Sequence, residues 1–313
     1  MPVRSATDWQ VRRAHIIANL QAVMGPLPGG ERRVPLDLKV LETVDEPTLV
    51  RKKISFASEP GDRVPAWLLI PKSSGKHAAM LCLHQTTAIG KDEPTGLGGM
   101  PNLHYAKELA ERGYVTIAPD YPNFGERKVD AYALGYASAS MKGIWDHLRA
   151  VDLLSSLDEV DPERIGVIGH SLGGHNSIFV AIFDPRIKAV VSSCGFNAFP
   201  SYSNGNITGW SHKGYMPRLK DTYQLDLNKV PFDFPELIGA LAPRAFFTNS
   251  PIRDDNFAVG GVKQCLVAAE PVYRLLGASD RLVAVYPDAE HDFPQAERTR
   301  AYEFLDRNLA TAP

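Results

Sequence analysis

A serine between two glycines stands where an apolar run meets a helix-like segment. The pentapeptide Gly169-His170-Ser171-Leu172-Gly173 follows the short run Ile165 to Ile168 and precedes a helical pattern that extends to Phe183. Gly-x-Ser-x-Gly in this context is typical of a nucleophile elbow, a sharp turn that exposes the serine hydroxyl at the start of a helix. Larger residues at the two glycine positions would collide with the strand and the helix. The pattern predicts that Ser171 is a nucleophile, with a purely structural turn as the alternative.

A serine hydroxyl needs a histidine base, and the histidine needs an acid to hold it. Among the nine histidines, His291 lies in the loop between the last predicted strand and the last predicted helix. Open α/β sheets place their sites in loops at the carboxyl ends of strands, so we predict that His291 is the base. A loop histidine without a role is the alternative. His175 follows Ser171 on the same predicted helix and cannot approach it from the opposite side.

The acid should follow the preceding strand, which ends near Asn249. Two adjacent aspartates, Asp254 and Asp255, come after it. Neighbours in a loop point in different directions, so only one can bond the imidazole. We favour Asp254, and Asp255 is expected to cap the segment that follows. The other acidic residues lie on the wrong side of the last strand or beside the base itself; they are Asp280, Asp288, Glu290 and Asp292.

An oxyanion hole needs two N–H donors. The first is expected from Leu172, directly after the nucleophile. The second is expected from Gln85 or Thr86, in the loop after the apolar run Ala78 to Leu83. His84 is expected to bridge loops rather than to take part in catalysis.

The composition excludes several classes of function. The chain has 313 residues, 44% of them hydrophobic, and a formal net charge of −2. No basic excess supports a nucleic-acid or anionic-membrane partner. The three cysteines are too few for a disulfide framework, and no spacing suggests a metal or cofactor site. The amino terminus lacks the apolar core of a signal peptide, so a cytoplasmic location is expected, although removal of a leader would leave the same pattern.

The chain pattern predicts an α/β fold in a single domain, residues 1–313. An amino-terminal helix and loop (1–36) precede three antiparallel strands at 37–44, 48–58 and 64–71. From residue 78, apolar runs alternate with helix-length segments, which favours a mostly parallel, doubly wound sheet with helices on both faces. The expected strands are 78–83, 115–118, 165–168, 189–191, 245–248 and 282–286, and the expected helices are 102–112, 138–157, 172–183, 233–240, 261–276 and 294–309.

One long stretch, 195–232, lacks this rhythm and is rich in aromatic residues. Long irregular excursions are often lids or binding loops, so we predict a lid or flap here. Phe124, Trp210 and Tyr215 are expected to wall the substrate pocket, and the last two could stack on a sugar or line an apolar acyl pocket.

Several motifs together resemble the α/β-hydrolase superfamily, nearest to dienelactone-hydrolase-like and acetyl-xylan-esterase-like enzymes related to the catalytic domain of prolyl oligopeptidases. The resemblance spans about 48–309 and rests on His84-Gln85-Thr86-Thr87, Gly90-Lys91-Asp92-Glu93, Arg112-Gly113-Tyr114-Val115, Ala118-Pro119-Asp120-Tyr121, Asp161-Pro162-Glu163-Arg164-Ile165-Gly166, the pentapeptide with Gly174, Asp254-Asp255-Asn256 and His291-Asp292-Phe293. It implies an α/β-hydrolase fold and a serine esterase. In relatives with an Asp-Asp-Asn loop the first aspartate is the acid, which again favours Asp254.

The sequence departs from those relatives in three ways. Gln85 stands where the family often has glycine, Ser171 replaces the cysteine of dienelactone hydrolases proper, and no β-propeller precedes the domain. We therefore expect a hydrolase of carboxylic esters that forms an acyl-Ser171 intermediate. Small-molecule or carbohydrate esters, acetyl or other small-acyl esters among them, are the expected substrates. A peptidase or amidase with the same triad is the alternative, and a non-catalytic binding protein is a third reading. The patterns predict no oligomeric state.

Overall fold

Nine strands form one sheet at the centre of the protein, whose computed structural model describes residues 3–310. The strands are β1 Lys39–Asp45, β2 Leu49–Glu59, β3 Asp62–Pro71, β4 His77–Leu83, β5 Val115–Pro119, β6 Val160–His170, β7 Ile187–Ser193, β8 Ala245–Asn249 and β9 Leu282–Val285. Their spatial order is β1-β2-β3-β5-β4-β6-β7-β8-β9. The pairs from β1 to β3 and the β3–β5 pair are antiparallel, and the pairs from β5 to β9 are parallel. The predicted mostly parallel sheet is confirmed.

Within residues 3–310, eight α-helices surround the sheet, together with short 3-10 turns. They are α1 Ala6–Met24, α2 Tyr105–Glu111, α3 Ala139–Ser156, α4 Leu172–Phe183, α5 Arg218–Asp221, α6 Phe234–Leu241, α7 Val259–Leu275 and α8 Gln295–Asn308. Buried residues of α2 and α8 share one core with Met80, Cys82 and Ile168. Buried residues of α1, α3, α4, α6 and α7 share another with Leu81, Val167 and Val190. Successive strand residues point to opposite faces, so helices cover both faces, as predicted.

Two local features differ from expectation. Helix α1 begins at Ala6, and its cap is Ser5, whose hydroxyl accepts the Asp8 N–H at 3.1 Å. Thr7 and Asp8, whose side chains could also cap a helix start, lie inside the first turn. Strand β6 begins at Val160, five residues before the apolar run, because Val160 pairs with His77, the first residue of β4. Among the helices of residues 3–310, none combines the length and apolar character that a membrane crossing needs.

The sheet order places the candidate site. Strands β4, β6, β7, β8 and β9 are consecutive neighbours and parallel. The loops after their carboxyl ends therefore open at one edge of the sheet, where α/β proteins bind ligands. Ser171, Asp254 and His291 all follow such ends.

Candidate active site

Ser171 occupies a strained backbone conformation at the junction of β6 and α4. Its φ is 51° and its ψ is −114°, a region that L-residues rarely adopt. Its N–H donates to the Ser193 carbonyl at 2.8 Å, and its own carbonyl accepts the N–H groups of Gly174 and His175. These bonds hold the turn in place. The Ser171 side chain is half-buried, and its hydroxyl has no hydrogen-bond partner within residues 3–310.

Each glycine of the pentapeptide avoids a different steric clash. A Cβ on Gly169 would run into the backbone of Gly173, at the start of α4. A Cβ on Gly173 would run into the carbonyl of Leu83, at the end of β4. The second contact was not foreseen from the sequence, because it depends on β4 being the neighbour of β6. The first turn of α4 therefore lies directly against the start of the 84–86 loop.

His291 and Asp254 form a hydrogen-bonded pair. His291 Nδ1 lies 3.0 Å from both carboxylate oxygens of Asp254. The carboxylate is 6% exposed and also accepts the N–H groups of Asn256 and Phe257 at 2.9 and 3.0 Å. Burial alone would raise the pKa of Asp254, but the bond and charge of His291, with the two N–H groups, hold that pKa below its usual range. The geometry thus provides a charged acid that can orient an imidazole.

Asp255, the competing aspartate, points elsewhere. It is exposed, and it lies in a cavity beside the pair. The N–H groups of the next residues are bonded by Asp254, so the capping expected of Asp255 falls to its neighbour.

His170 links the elbow to His291. The two rings lie 4.8 Å apart between centroids, edge to face. Ser193 Oγ lies 2.9 Å from His170 Nδ1 and accepts Asn249 Nδ2 at 2.9 Å, and the same amide donates to the Asp292 carbonyl at 2.9 Å. Because Asn249 donates to Ser193, the serine O–H is free to donate to Nδ1. Burial, with the nearby charge of His291, lowers the pKa of His170 to about 3, so this ring stays neutral.

The three predicted oxyanion donors follow the carboxyl ends of two adjacent strands, β4 and β6. Leu172 is the first residue of α4, and Gln85 and Thr86 follow β4. Their N–H groups have no acceptor within residues 3–310. This leaves them available to a ligand oxygen, and the start of α4 adds the positive end of a helix dipole.

Hydrogen bonds from buried polar groups hold the 84–86 loop in place. His84 Nε2 accepts the Tyr121 N–H at 3.0 Å, and Nδ1 donates to the Gln85 carbonyl at 2.6 Å. The Lys91 ammonium nitrogen, Nζ, lies 3.0 Å from the Asp120 carboxylate. The backbone N–H of Lys91 donates to the same carboxylate at 2.7 Å. These bonds join the loop after β4 to the loop after β5, so His84 acts as the expected bridge.

Two cavities flank the site. The first, which we call the aromatic cavity, has a volume of about 620 Å³, and it is lined by Thr86, Pro122, Asn123, Phe124, Val129, Asp130, Ala131, Tyr132, Ala139, His212, Lys213, Gly214 and Tyr215. The second, the polar cavity, has a volume of about 690 Å³, and it is lined by Met100, Arg253, Asp255, Asp288, Ala289, Glu290, His291 and Asp292. Phe124 and Tyr215, two of the residues predicted to wall the substrate pocket, line the aromatic cavity.

Trp210 does not line either cavity. Its side chain is 3% exposed and packs against His175 at 4.7 Å and Phe234 at 5.3 Å between centroids. It also contacts Tyr215 at 5.9 Å. This placement disagrees with the expected stacking on a sugar: Trp210 supports the wall from behind, because burying the indole removes more apolar surface from water than exposing it.

The predicted flap, 195–232, packs closely on the sheet edge. It consists of short 3-10 turns, helix α5 and loops. Its carbonyls at Lys213 and Gly214 accept the hydroxyls of Tyr132 and Tyr121 at 2.7 and 3.1 Å. The segment therefore supplies part of the wall of the aromatic cavity, through His212, Lys213, Gly214 and Tyr215.

One group of side chains within residues 3–310 has metal-ligating donors close together: His170, Cys194 and His291, within 4.8 Å. Three of the candidate donor atoms have partners in the protein, whereas His170 Nε2 is buried with no partner within residues 3–310. His291 Nδ1 bonds Asp254, His170 Nδ1 bonds Ser193, and the Cys194 thiol donates to the Asp292 carbonyl at 3.4 Å.

Comparison with known proteins decides the family. The family model for acetyl xylan esterase (AXE1) matches residues 32–200, more than half of the chain. The chain belongs to the acetyl xylan esterase (AXE1) family. It is thus a carboxylic ester hydrolase, as its serine elbow predicted. A second model, described as glucuronyl esterase of fungi, matches residues 130–277.

Individual relatives of this AXE1-family chain are more distant. A putative hydrolase, YtaP, of Bacillus subtilis (strain 168) is 26% identical over 310 residues, covering 95% of this chain and 100% of its own. A 4-O-methyl-glucuronoyl methylesterase of Podospora anserina is 22% identical, covering 89% of this chain and 58% of its own.

Solved structures confirm the α/β-hydrolase fold. A glucuronoyl esterase from Solibacter usitatus superposes with a TM-score of 0.77 at 17% identity, covering 99% of this chain and 95% of that one. Acetyl xylan esterase 1 from Thermoanaerobacterium sp. JW/SL YS485 superposes with a TM-score of 0.65 at 18% identity, covering 94% and 99%.

Two residues near the site of this AXE1-family protein escaped the sequence reasoning. His170 was passed over as the variable position of the pentapeptide, and Asn249 as the last residue of a strand. Residues at the carboxyl ends of neighbouring parallel strands meet in space. The chain places Ser193 and Asn249 at the ends of β7 and β8, which was the available signal.

Proposed function

We propose that the chain hydrolyses carboxylic esters through an acyl intermediate on Ser171. The observation that carries the proposal is the hydrogen-bonded pair of His291 and the buried Asp254. The His291 imidazole lies against His170, the residue directly before the strained serine. In this proposal His291 accepts the Ser171 proton as Oγ attacks the ester carbonyl. Asp254 holds the imidazole in the required tautomer and stabilises its cation.

The tetrahedral intermediate carries a negative oxygen. The N–H of Leu172 and that of Gln85 or Thr86 bind this oxygen, each donor being worth about 10²–10³ in kcat. The imidazolium then protonates the leaving alcohol as the ester C–O bond breaks. Water, deprotonated by His291, attacks the acyl-serine and releases the acid.

Carbohydrate esters are the proposed substrates. The family model is named for acetyl xylan, and relatives are named for glucuronoyl esters. Acetyl and other small acyl groups are the proposed acyl parts of these esters. The polar cavity at His291 offers carboxylates, which accept hydrogen bonds from sugar hydroxyls.

The test compares Ser171→Ala with Ser74→Ala, an exposed serine in the turn between β3 and β4. The first variant should lose about 10⁶ in kcat on p-nitrophenyl acetate and all labelling by a fluorophosphonate probe, whereas the second should keep both. Full activity in Ser171→Ala would overturn the proposal. Faster cleavage of aminoacyl-p-nitroanilides than of esters would favour the peptidase alternative.

A further inference from the structure

The chemistry of the proposed triad assigns a side to each part of an ester. Once His291 is protonated, it must deliver that proton to the leaving oxygen. The leaving alcohol therefore faces the polar cavity, which His291 lines. Thr86, a predicted oxyanion donor, lines the other cavity. The remaining substituent of the carbonyl carbon, the acyl chain, then points into the aromatic cavity.

The aromatic cavity is much larger than an acetyl group. Its volume of about 620 Å³ is in the range of pockets that enclose drug-sized ligands. Phe124, Tyr132 and Tyr215 supply its aromatic walls, and Val129 and Ala131 contribute aliphatic surface. A methyl group would leave most of this surface in contact with water.

The polar atoms of the walls are mostly paired with one another. The Asn123 amide bonds both the C=O and the N–H of Val129, at 3.0 and 3.3 Å. The Asp130 carboxylate accepts the N–H of Tyr132 and of the residue after it, at 3.0 and 3.1 Å. The Tyr132 hydroxyl donates to the Lys213 carbonyl at 2.7 Å. A sugar ring, whose hydroxyls each need a partner, would find few in this cavity.

Exposed polar side chains at the lining include those of Lys213, His212 and Asp130. They suit an aromatic ring that carries a hydroxyl. The flat faces of Phe124 and Tyr215 suit the ring itself, since aromatic pairs gain beyond their buried area.

We propose that the aromatic cavity is the acyl subsite and that it takes a planar aromatic acyl group of the benzoyl or hydroxycinnamoyl class. The alcohol leaves toward the polar cavity. This inference rests on the proposed function of Ser171 and His291, and it goes beyond the small acyl groups considered there.

The test holds the alcohol constant and varies the acyl group. The substrates are benzyl acetate, benzyl cinnamate and benzyl glucuronate, and each kcat/KM is divided by the rate constant for hydroxide hydrolysis. The corrected value for benzyl cinnamate should exceed that for benzyl acetate at least tenfold, the usual discrimination of an apolar pocket. A corrected value for benzyl glucuronate above that for benzyl cinnamate would overturn the assignment.

Two variants locate the effect. Val129→Trp fills the aromatic cavity from a partly exposed position and should lower the ratio of kcat/KM for benzyl cinnamate to kcat/KM for benzyl acetate about tenfold or more. Met100→Trp narrows the polar cavity and should affect both esters equally, because their alcohol is the same. Equal loss on both esters in Val129→Trp, or selective loss of cinnamate activity in Met100→Trp, would overturn the subsite.

Ser171→Ala distinguishes failure of the acyl subsite from failure of the proposed esterase function. Hydrolysis that vanishes in this variant but shows no preference for cinnamate overturns the acyl subsite alone. Hydrolysis that survives in it overturns the proposed function and the subsite together.

Discussion

Ser171 shows how a strained residue can be held in a folded chain. A φ of 51° with a ψ of −114° costs about 1–3 kcal/mol. The bonds from its N–H to Ser193 and from Gly174 and His175 to its carbonyl offset this cost. Strain of this kind is maintained only where the surroundings over-determine it, and here it turns the hydroxyl out of the core.

The adjacent aspartates permit a sharp comparison. Asp254→Asn should reduce kcat on p-nitrophenyl acetate by about 10⁴, because an amide neither stabilises the imidazolium nor selects the right tautomer. Asp255→Asn is the matched control. Its carboxylate lies in the polar cavity, away from the bond to His291, so its kcat should fall less than tenfold. If the two variants lost equal activity, Asp254 would not be the acid.

The conformation of the elbow depends on a contact between elements, in which Gly173 of α4 packs against Leu83 of β4. Gly173→Ala should destabilise the protein by about 2–3 kcal/mol, because the new methyl group meets the rigid carbonyl of Leu83. It should also reduce kcat, since Leu83 leads into the predicted oxyanion loop. Urea unfolding and esterase kinetics measure the two effects.

Gly260→Ala, near the start of α7, is the control for Gly173. A Cβ at this position meets nothing within 4 Å. The variant should be neutral or gain up to about 1 kcal/mol, because alanine reduces the freedom of the unfolded chain. Equal losses at both positions would mean that the contact with Leu83 is unimportant.

Lys91 tests the anchoring of the 84–86 loop. The Lys91 ammonium and the Asp120 carboxylate are both fully buried, 3.0 Å apart. Burial alone would lower the pKa of Lys91, but the charges of Asp120 and Glu126 raise that pKa above its usual value. Lys91→Met leaves the buried Asp120 carboxylate without its cationic partner and should cost about 3–5 kcal/mol of unfolding free energy.

Lys107→Met is the comparison for Lys91. Lys107 makes an exposed ion pair with Glu111 at 3.9 Å in α2. Its loss should cost less than about 1 kcal/mol. Similar urea midpoints for the two variants would contradict the proposed role of Lys91.

At the scale of the whole molecule, chain order made the sheet predictable. Each buried parallel strand leaves a continuous apolar run, and the loops after such strands meet at one edge of the sheet. His170, the residue before Ser171, therefore lies against His291. The choice between Asp254 and Asp255 stayed open, because side-chain direction in a loop has no periodic signal. Trp210 was placed wrongly for a related reason: the sequence of an irregular segment does not show which aromatic residues turn inward.

Buried histidines make the stability of the whole protein depend on pH. Burial lowers the pKa values of His147, His170 and His175 to about 3. In the unfolded chain a histidine has a pKa near 6.5. Between these values the unfolded state binds protons that the folded state does not, so the unfolding free energy falls as the pH falls. Asp233, whose pKa burial raises to about 6, acts in the opposite direction.

His175 isolates one of these contributions. Neither of its ring nitrogens has a partner within residues 3–310, and its neighbours Trp210, Tyr215 and Phe179 are aromatic. His175→Phe should therefore change the unfolding free energy little at pH 7.5, where His175 is neutral in both the folded and the unfolded protein. Between pH 7.5 and pH 5, urea unfolding of the native protein should lose about 2 kcal/mol more than that of the variant, the free energy of about 1.5 pKa units for one group. The contribution of Asp233 is the same in both proteins and cancels in the comparison. Equal losses would show that His175 is protonated in the folded state, and its aromatic surroundings would then have to accommodate a charge.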